Sequence, residues 1–245
     1  MLNRKQLPLI ARLDSKYFFA VTKVTEHLQK NNLLDYEIYN DIKYSSDSKH
    51  SQFVLANQFS KDTFFKEDAA GSLEGDLYKQ LYLTDIDKKH LEIHYNESHK
   101  TIFSRTKRLD PESPNYHPAA DELLYKLRNN YVAGPLTEIL DLFGSEVKRV
   151  RFAVLMPGFS IKPHIDYDPS YITRIHYPVV TNKKARLGFI SKTGEKHYHV
   201  AADGHFYFLN TGVKHWAENL GTEPRLHLII DIHSQDCLQD FSSIE

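Results

Sequence analysis

The sequence predicts a mainly β protein, a jelly roll or barrel of short antiparallel strands with helices at its N-terminal side. Three observations lead there. From Val147 onward, short β-rich runs follow one another at close spacing. Turn signals separate them: Pro157-Gly158, Thr193-Gly194, Asp203-Gly204, Thr211-Gly212 and Gly221–Pro224. Aromatic residues make up 12% of the chain, with 15 Tyr and 14 Phe, types that favour a pleated surface. Many short strands joined by tight turns close most readily as a jelly roll or barrel.

Taken in order, residues 14–30 predict a helix. Tyr17, Val21, Val24 and Leu28 recur at helical spacing, Asp14 or Ser15 can cap the start, and Asn31-Asn32 end it. Residues 33–110 read as sheet and loop. QFVLANQF, QLYLTDI and KTIFSRT are strand-like runs, and residues 45–51 and 66–76 are polar loops. A helix is expected from Pro118, with Leu123, Leu124, Leu127 and Tyr131 on its apolar face and Gly134-Pro135 as its stop. Leu136, Ile139, Leu140 and Phe143 predict a second short helix ended by Gly144. The β-core then comprises KRVRFAVLM, TRIHYPVV, ARLGFIS, KHYHV, HFYFLN, VKHWAEN and RLHLIIDI. One domain over 1–245 is expected, with 1–145 as a helical and mixed support region and 146–235 as the β-core.

Composition narrows the function classes. A chain of 245 residues buries enough surface to need no staples. Its formal net charge of −1 favours neither a nucleic acid nor an acidic membrane as partner. A single cysteine, Cys237, rules out an intrachain disulfide and fits a reducing compartment. The N-terminus has no clean apolar signal region, and no apolar run approaches the roughly 18 residues of a membrane helix. The expectation is a soluble, cytoplasmic protein.

Chemistry concentrates on the polar faces of the core. His164 and Asp166 sit at i and i+2, a spacing that puts both on one face of a strand. Arg174 and His176 form a second such pair, opposed by Ile175, Tyr177 and Val179. Arg225 and His227 form a third, opposed by Leu226, Leu228, Ile230 and Ile232. The plain alternative for any one strand is a solvated polar face. Three such faces in one core predict a shared interior pocket, where a metal and an anionic ligand would offset the cost of burying charge. His215, in NTGVKHWAEN, completes a set of two histidines and one carboxylate with His164 and Asp166. Two neutral imidazoles and a carboxylate can hold Fe(II) and leave positions open for other ligands. Ten residues after His215, Arg225 offers a guanidinium fork for a carboxylate, which is how 2-oxoglutarate would fit. The competing role for Arg225 is a structural ion pair with Glu223 or Asp231.

From about Arg151 to Ile232, a third of the chain, the sequence resembles the Fe(II)/2-oxoglutarate oxygenases of the aspartyl/asparaginyl β-hydroxylase type. The resemblance implies a double-stranded β-helix core and hydroxylation of an unactivated C–H bond with 2-oxoglutarate and O2, releasing succinate and CO2. It implies His164, Asp166 and His215 as iron ligands and Arg225 as holder of the far carboxylate of 2-oxoglutarate. Arg174 and His176 match the family's R-x-H, which helps bind a cosubstrate or substrate carboxylate. Ala153 stands where some members place a small polar residue that touches the cosubstrate, and Asp166 is present where some peptidyl-Asp hydroxylases lack the carboxylate. The implied substrate is an amino acid or a peptidyl residue resembling Asp, Asn or Pro. A lipid or natural-product hydroxylase, a cupin-like module that binds without turnover, and a metal-dependent isomerase or hydrolase are the alternatives.

Three further residues are candidates for substrate contact: Tyr167 and Asp168, just after the His-x-Asp, and Arg151. Asp168 could pair a substrate amine, although an Asp before Pro also forms turns. Asn210 is a further residue within reach of the pocket, and His197, His199 and His205 could imitate a second metal site.

Overall fold

The computed structural model describes residues 1–44, 53–55, 78–86, 122–191, 194–239 and 241–243. The strands are β1 (Ile10–Leu13), β2 (Asn40–Tyr44), β3 (Phe53–Leu55), β4 (Tyr78–Tyr82), β5 (Thr84–Ile86), β6 (Tyr125–Arg128) and β7 (Val147–Leu155). They continue with β8 (Ser160–His164), β9 (Thr173–Val180), β10 (Ala185–Ser191), β11 (Gly194–Tyr198), β12 (Tyr207–Leu209), β13 (Lys214–Asn219), β14 (Arg225–Ile232) and β15 (Phe241–Ser243). Two helices accompany them, α1 (Val21–Lys30) and α2 (Pro135–Asp141).

The described strands form a main sheet in the order β15-β1-β12-β9-β14-β7-β4-β2-β3, facing a second sheet in the order β11-β10-β13-β8. The pairings within both are antiparallel. This is the expected jelly-roll core, and each β-rich run predicted after Val147 contributes a strand to it. The alternation of β9 and β14 decides which way the main sheet faces. Ile175, Tyr177, Val179, Leu226, Leu228, Ile230 and Ile232 all join one apolar core. Val24 and Leu28 of α1 and Leu136, Ile139 and Leu140 of α2 pack into that same core. A second core lies between the sheets, where Ala153, Leu155 and Ile229 meet Ile161, Leu187, Phe189 and Ala217.

The N-terminal part departs from expectation at its first helix. The helix predicted from residue 14 begins at Val21. Before it stands a single 3-10 turn, Ser15–Tyr17, capped by the Asp14 side chain accepting from the Lys16 N–H at 2.9 Å. Phe18 is extended and breaks the run. The sheet read over 33–110 is present where that region is described, as β2, β3, β4 and β5, and β1 is a further strand ahead of it; β1 to β4 all extend the main sheet.

The helix predicted from Pro118 is replaced, over its described residues, by a 3-10 turn at Glu122–Leu124 and strand β6 paired with β5. Leu123, Leu124 and Tyr125 are buried in succession, whereas Leu127 is 49% and Tyr131 38% exposed. One helix face cannot bury three consecutive residues and expose the next two members of its own stripe. Tyr125 instead stacks on Tyr82 with ring centroids 5.7 Å apart, so tertiary packing overrides local propensity. Gly134 and Pro135 mark a start, not a stop. Gly134 adopts φ 55° before α2, and Pro135 occupies its first turn. The runs KTIFSRT, 45–51 and 66–76 lie outside the described residues, and QFVLANQF is described only as β3.

Trp216, the only tryptophan in the chain, lies across Gly188 of the neighbouring strand. A Cβ on Gly188 would meet the indole at 2.0–2.4 Å. Gly188→Ala is therefore expected to displace the ring and destabilise the protein by about 1–3 kcal/mol, as overpacking does. A denaturant titration read by tryptophan fluorescence checks this, and an unchanged midpoint and spectrum would contradict it.

Candidate metal centre

A cavity opens between the two sheets. The inward faces of β7, β9 and β14 send Arg151, Ala153, Arg174, His176, Arg225 and His227 to one wall, and β4 adds Tyr78. The second sheet contributes Ile161, His164, Leu187, His215 and Ala217. The three polar faces predicted to share a pocket do share one.

His164 ends β8 and stands in register with His215 of β13, with ring centroids 4.3 Å apart. Each Nδ1–H donates to a carbonyl two residues earlier, His164 to Lys162 at 2.8 Å and His215 to Val213 at 2.9 Å. A carbonyl can only accept, so these bonds fix the tautomer and leave each Nε2 as a lone pair. The Nε2 atoms lie 3.8 and 3.9 Å from the two Asp166 carboxylate oxygens. All three ligand-type atoms fall within 4.8 Å of one another. These separations are too long for hydrogen bonds and suit three ligands around one ion. Among the described residues this is the one group of three or more such side chains close enough to share a metal. Burial, with His164 beside it, pushes His215 down to about 4, so its imidazole is neutral at physiological pH.

Asp166 lies just past the end of β8, not on the strand itself as its spacing from His164 predicts. Its backbone N–H donates to the Thr211 carbonyl at 2.9 Å, and its carboxylate accepts from the Arg174 guanidinium. Burial alone would raise this carboxyl; Arg174, with both histidines, holds it well below the usual carboxylate range.

Arg174 belongs to a larger buried network. Its Nε donates to Asp231 Oδ1 at 2.7 Å, and its Nη2 donates to Glu122 at 2.8 and 3.0 Å. Asp231 Oδ2 also accepts from Arg149 Nε at 3.1 Å and Arg151 Nη1 at 2.7 Å, and Arg149 pairs with Glu122. Asp231 is fully buried, and the three arginines outweigh that burial to keep its carboxyl far below its ordinary value. Arg149, Glu122 and this role for Asp231 were not read from the sequence. A signal existed: Arg149 and Arg151 alternate on β7 as Arg225, His227 and Asp231 do on β14.

Arg225 is set apart from that network. It is 7% exposed and has no carboxylate partner among the described residues; neither Glu223 nor Asp231 pairs with it. Its Nε donates to His227 Nε2 at 3.1 Å, and its Nη2 lies 3.0 Å from His227 Nδ1. His227 Nδ1 in turn lies 3.1 Å from His176 Nδ1. Burial and the Arg225 charge push both histidines well below their ordinary value. A neutral imidazole accepts at one nitrogen only, so His227 cannot satisfy both guanidinium N–H groups.

The other candidates scatter. Arg151 lines the cavity and keeps a buried Nε–H with no hydrogen-bond partner. Tyr167 packs against Tyr171, 4.9 Å between centroids, and is not brought to the cavity. Nor is Asp168, which accepts from Ser170 and from the Arg4 backbone N–H. Asn210 donates to the Arg4, Leu7 and Pro8 carbonyls. His197 packs edge-on against Trp216, His199 donates to the Ala185 carbonyl, and His205 faces Asp203. No helix among the described residues is long and apolar enough to cross a membrane.

Residues 126–235 match the family model for aspartyl/asparaginyl beta-hydroxylase. The resemblance read from the sequence is borne out over this segment, which contains His164, Asp166, His215 and Arg225. No curated protein matches the chain. Among solved structures it is similar to a 2OG-Fe(II) oxygenase family oxidoreductase from Burkholderia pseudomallei, at 14% identity and a TM-score of 0.32, covering 43% of this chain and 56% of that one. It is also similar to a cupin domain from Bordetella pertussis, at 20% identity and a TM-score of 0.29, covering 36% and 84%. A third is a point mutant of oxalate decarboxylase from Bacillus subtilis, at 24% identity and a TM-score of 0.29, covering 35% and 22%. The chain thus spans just over half of the first structure's length and under a quarter of the third's.

The buried neutral histidines carry a pH signature. An unfolded histidine takes up a proton below about 6.5, whereas folded His176 and His227 do not until the pH is much lower. The unfolded state then binds more protons, so stability rises with pH up to about 6.5 and levels off above it. Thermal melts of the metal-free protein between about pH 5 and 8 are expected to show that rise and plateau. A melting temperature flat across the range would contradict the assignment.

Proposed function

We propose that this chain, whose residues 126–235 match the aspartyl/asparaginyl beta-hydroxylase model, is an Fe(II)/2-oxoglutarate-dependent hydroxylase of an amino acid or peptidyl residue. One observation carries the proposal. The group formed by His164, Asp166 and His215 opens into the same cavity as Arg225, a buried cation with no carboxylate among the described residues to neutralise it.

The residues present fit both absent groups. Two imidazoles with free Nε2 lone pairs and one ionised carboxylate are a donor set for Fe(II) that leaves room for further ligands. A cation buried without a counter-charge is costly, and the far carboxylate of 2-oxoglutarate would supply that charge to the Arg225 fork. Bound together, Fe(II), 2-oxoglutarate and O2 would supply the chemistry that hydroxylates an unactivated C–H bond, with 2-oxoglutarate leaving as succinate and CO2. The protein's own part is placement. His164, Asp166 and His215 hold the metal, and Arg225, steadied by His227, orients the cosubstrate. His176 lines the path between them, and Leu187, Ala217 and Ile229 keep bulk water out. No side chain need act as a general base.

Incubation with Fe(II), 2-oxoglutarate and O2 is expected to release succinate, stimulated by an amino acid or peptide whose mass rises by one oxygen atom. His164→Ala and His215→Ala should each abolish it, and turnover retained in either would contradict the metal assignment. Arg225→Ala removes one partner of a buried charge pair, a loss of at least about 2 kcal/mol, so the 2-oxoglutarate requirement should rise roughly thirtyfold or more. An unchanged requirement would remove Arg225 from this role.

A further inference from the structure

We infer that Arg174 is a positioning residue for Asp166, anchored by Glu122 and Asp231, and not a receiver for a ligand carboxylate. The inference rests on the metal centre proposed above.

The guanidinium meets a different carboxylate at each of its three nitrogens. Nε is on Asp231, Nη2 is on Glu122 and Nη1 is on Asp166. A bound carboxylate would have to displace one of these partners and leave it buried without a counter-charge. Asp166, by contrast, needs support. It lies beyond the end of β8, where the strand ladder no longer fixes it, and among the described residues its main chain is held by the backbone hydrogen bond to Thr211. Its side chain is held by Arg174.

Glu122 and Asp231 supply the rigidity. Asp231 sits within β14, in register with Arg174 of β9, and also accepts from Arg149 and Arg151. Glu122 comes from the 3-10 turn ahead of β6, outside the segment that matches the family model. The carboxylate ligand is thus aimed by residues on two sequence-distant elements.

The test is Mn(II) affinity, followed by electron paramagnetic resonance on the full chain without 2-oxoglutarate. The variants are Glu122→Gln and Arg174→Lys, beside Leu140→Ala as a destabilised control in the helical core. Loss of support around a ligand weakens metal binding about 10- to 100-fold. Both cluster variants should show that loss, with a broadened Mn(II) signal, while Leu140→Ala keeps wild-type affinity despite a lower melting temperature. Arg174→Lys keeps the charge and loses the fork; if it does not fold, Glu122→Gln carries the comparison. Wild-type affinity in the cluster variants would overturn the inference. So would intact Mn(II) binding in Arg174→Lys with selective loss of 2-oxoglutarate binding, titrated afterwards into the Mn(II)-loaded protein, the result expected of a carboxylate receiver. A wild-type protein that binds no Mn(II) would instead remove the metal centre itself, and the inference with it.

Discussion

Arg149, Arg151 and Arg174 meet Glu122, Asp166 and Asp231 in the interior, all six with little or no solvent contact, and the rest of the site follows from this pairing. Each buried ion costs several kcal/mol to desolvate, and mutual attraction repays that only where geometry is good and hydrogen bonds are saturated. Three cations against three anions meet most of this requirement, although the buried Arg151 Nε–H keeps no hydrogen-bond partner. The pairing also joins elements far apart in the chain: the turn before β6, the inner face of β7, the loop after β8, and strands β9 and β14. A cluster bound this way cannot slide, so Asp166 inherits a fixed position.

The cavity is electrostatically divided as a result. On one side the charges cancel, and one member of the balanced set faces His164 and His215. On the other side stands Arg225, whose nearest polar partners are the neutral histidine His227 and, through it, His176. An anion is attracted to the second side and gains little on the first. The same burial that deprotonates His215 and so suits it to a metal also leaves Arg225 short of a counter-charge, its guanidinium pushed down to about 10. Both features arise because two sheets close over polar faces that a solvated sheet would have turned outward.

Much of this was legible in the sequence, because β-strand alternation has a period of two and survives tertiary context. TRIHYPVV and RLHLIIDI each announce an apolar face and a polar one, and the structure sends Ile175 and Leu228 to the helical core while His176 and His227 line the cavity. The grouping of His164, Asp166 and His215 was legible from their donor types, two imidazoles and a carboxylate, even though Asp166 stands past the end of β8 and not on the strand. What failed was local. The stripe Leu123, Leu124, Leu127 and Tyr131 has helical spacing, yet β6 pairs with β5 and Tyr125 stacks on Tyr82 at the end of β4. Tyr167 and Asp168 adjoin His164 and Asp166 in sequence, but the loop leading away from Asp166 carries them elsewhere. Glu122 could not be found from its neighbours at all, since its partners Arg149 and Arg174 are joined to it only by the fold.

The most direct test of the central claim is a crystal structure of the protein grown anaerobically with Fe(II) and 2-oxoglutarate, the metal located by anomalous scattering at the iron edge. The account predicts one ion bound by His164 Nε2, His215 Nε2 and an Asp166 oxygen, with Arg225 on the far carboxylate and Arg174 still on Asp166. An ion elsewhere, or 2-oxoglutarate bound through Arg174 with Asp166 turned away, would contradict it.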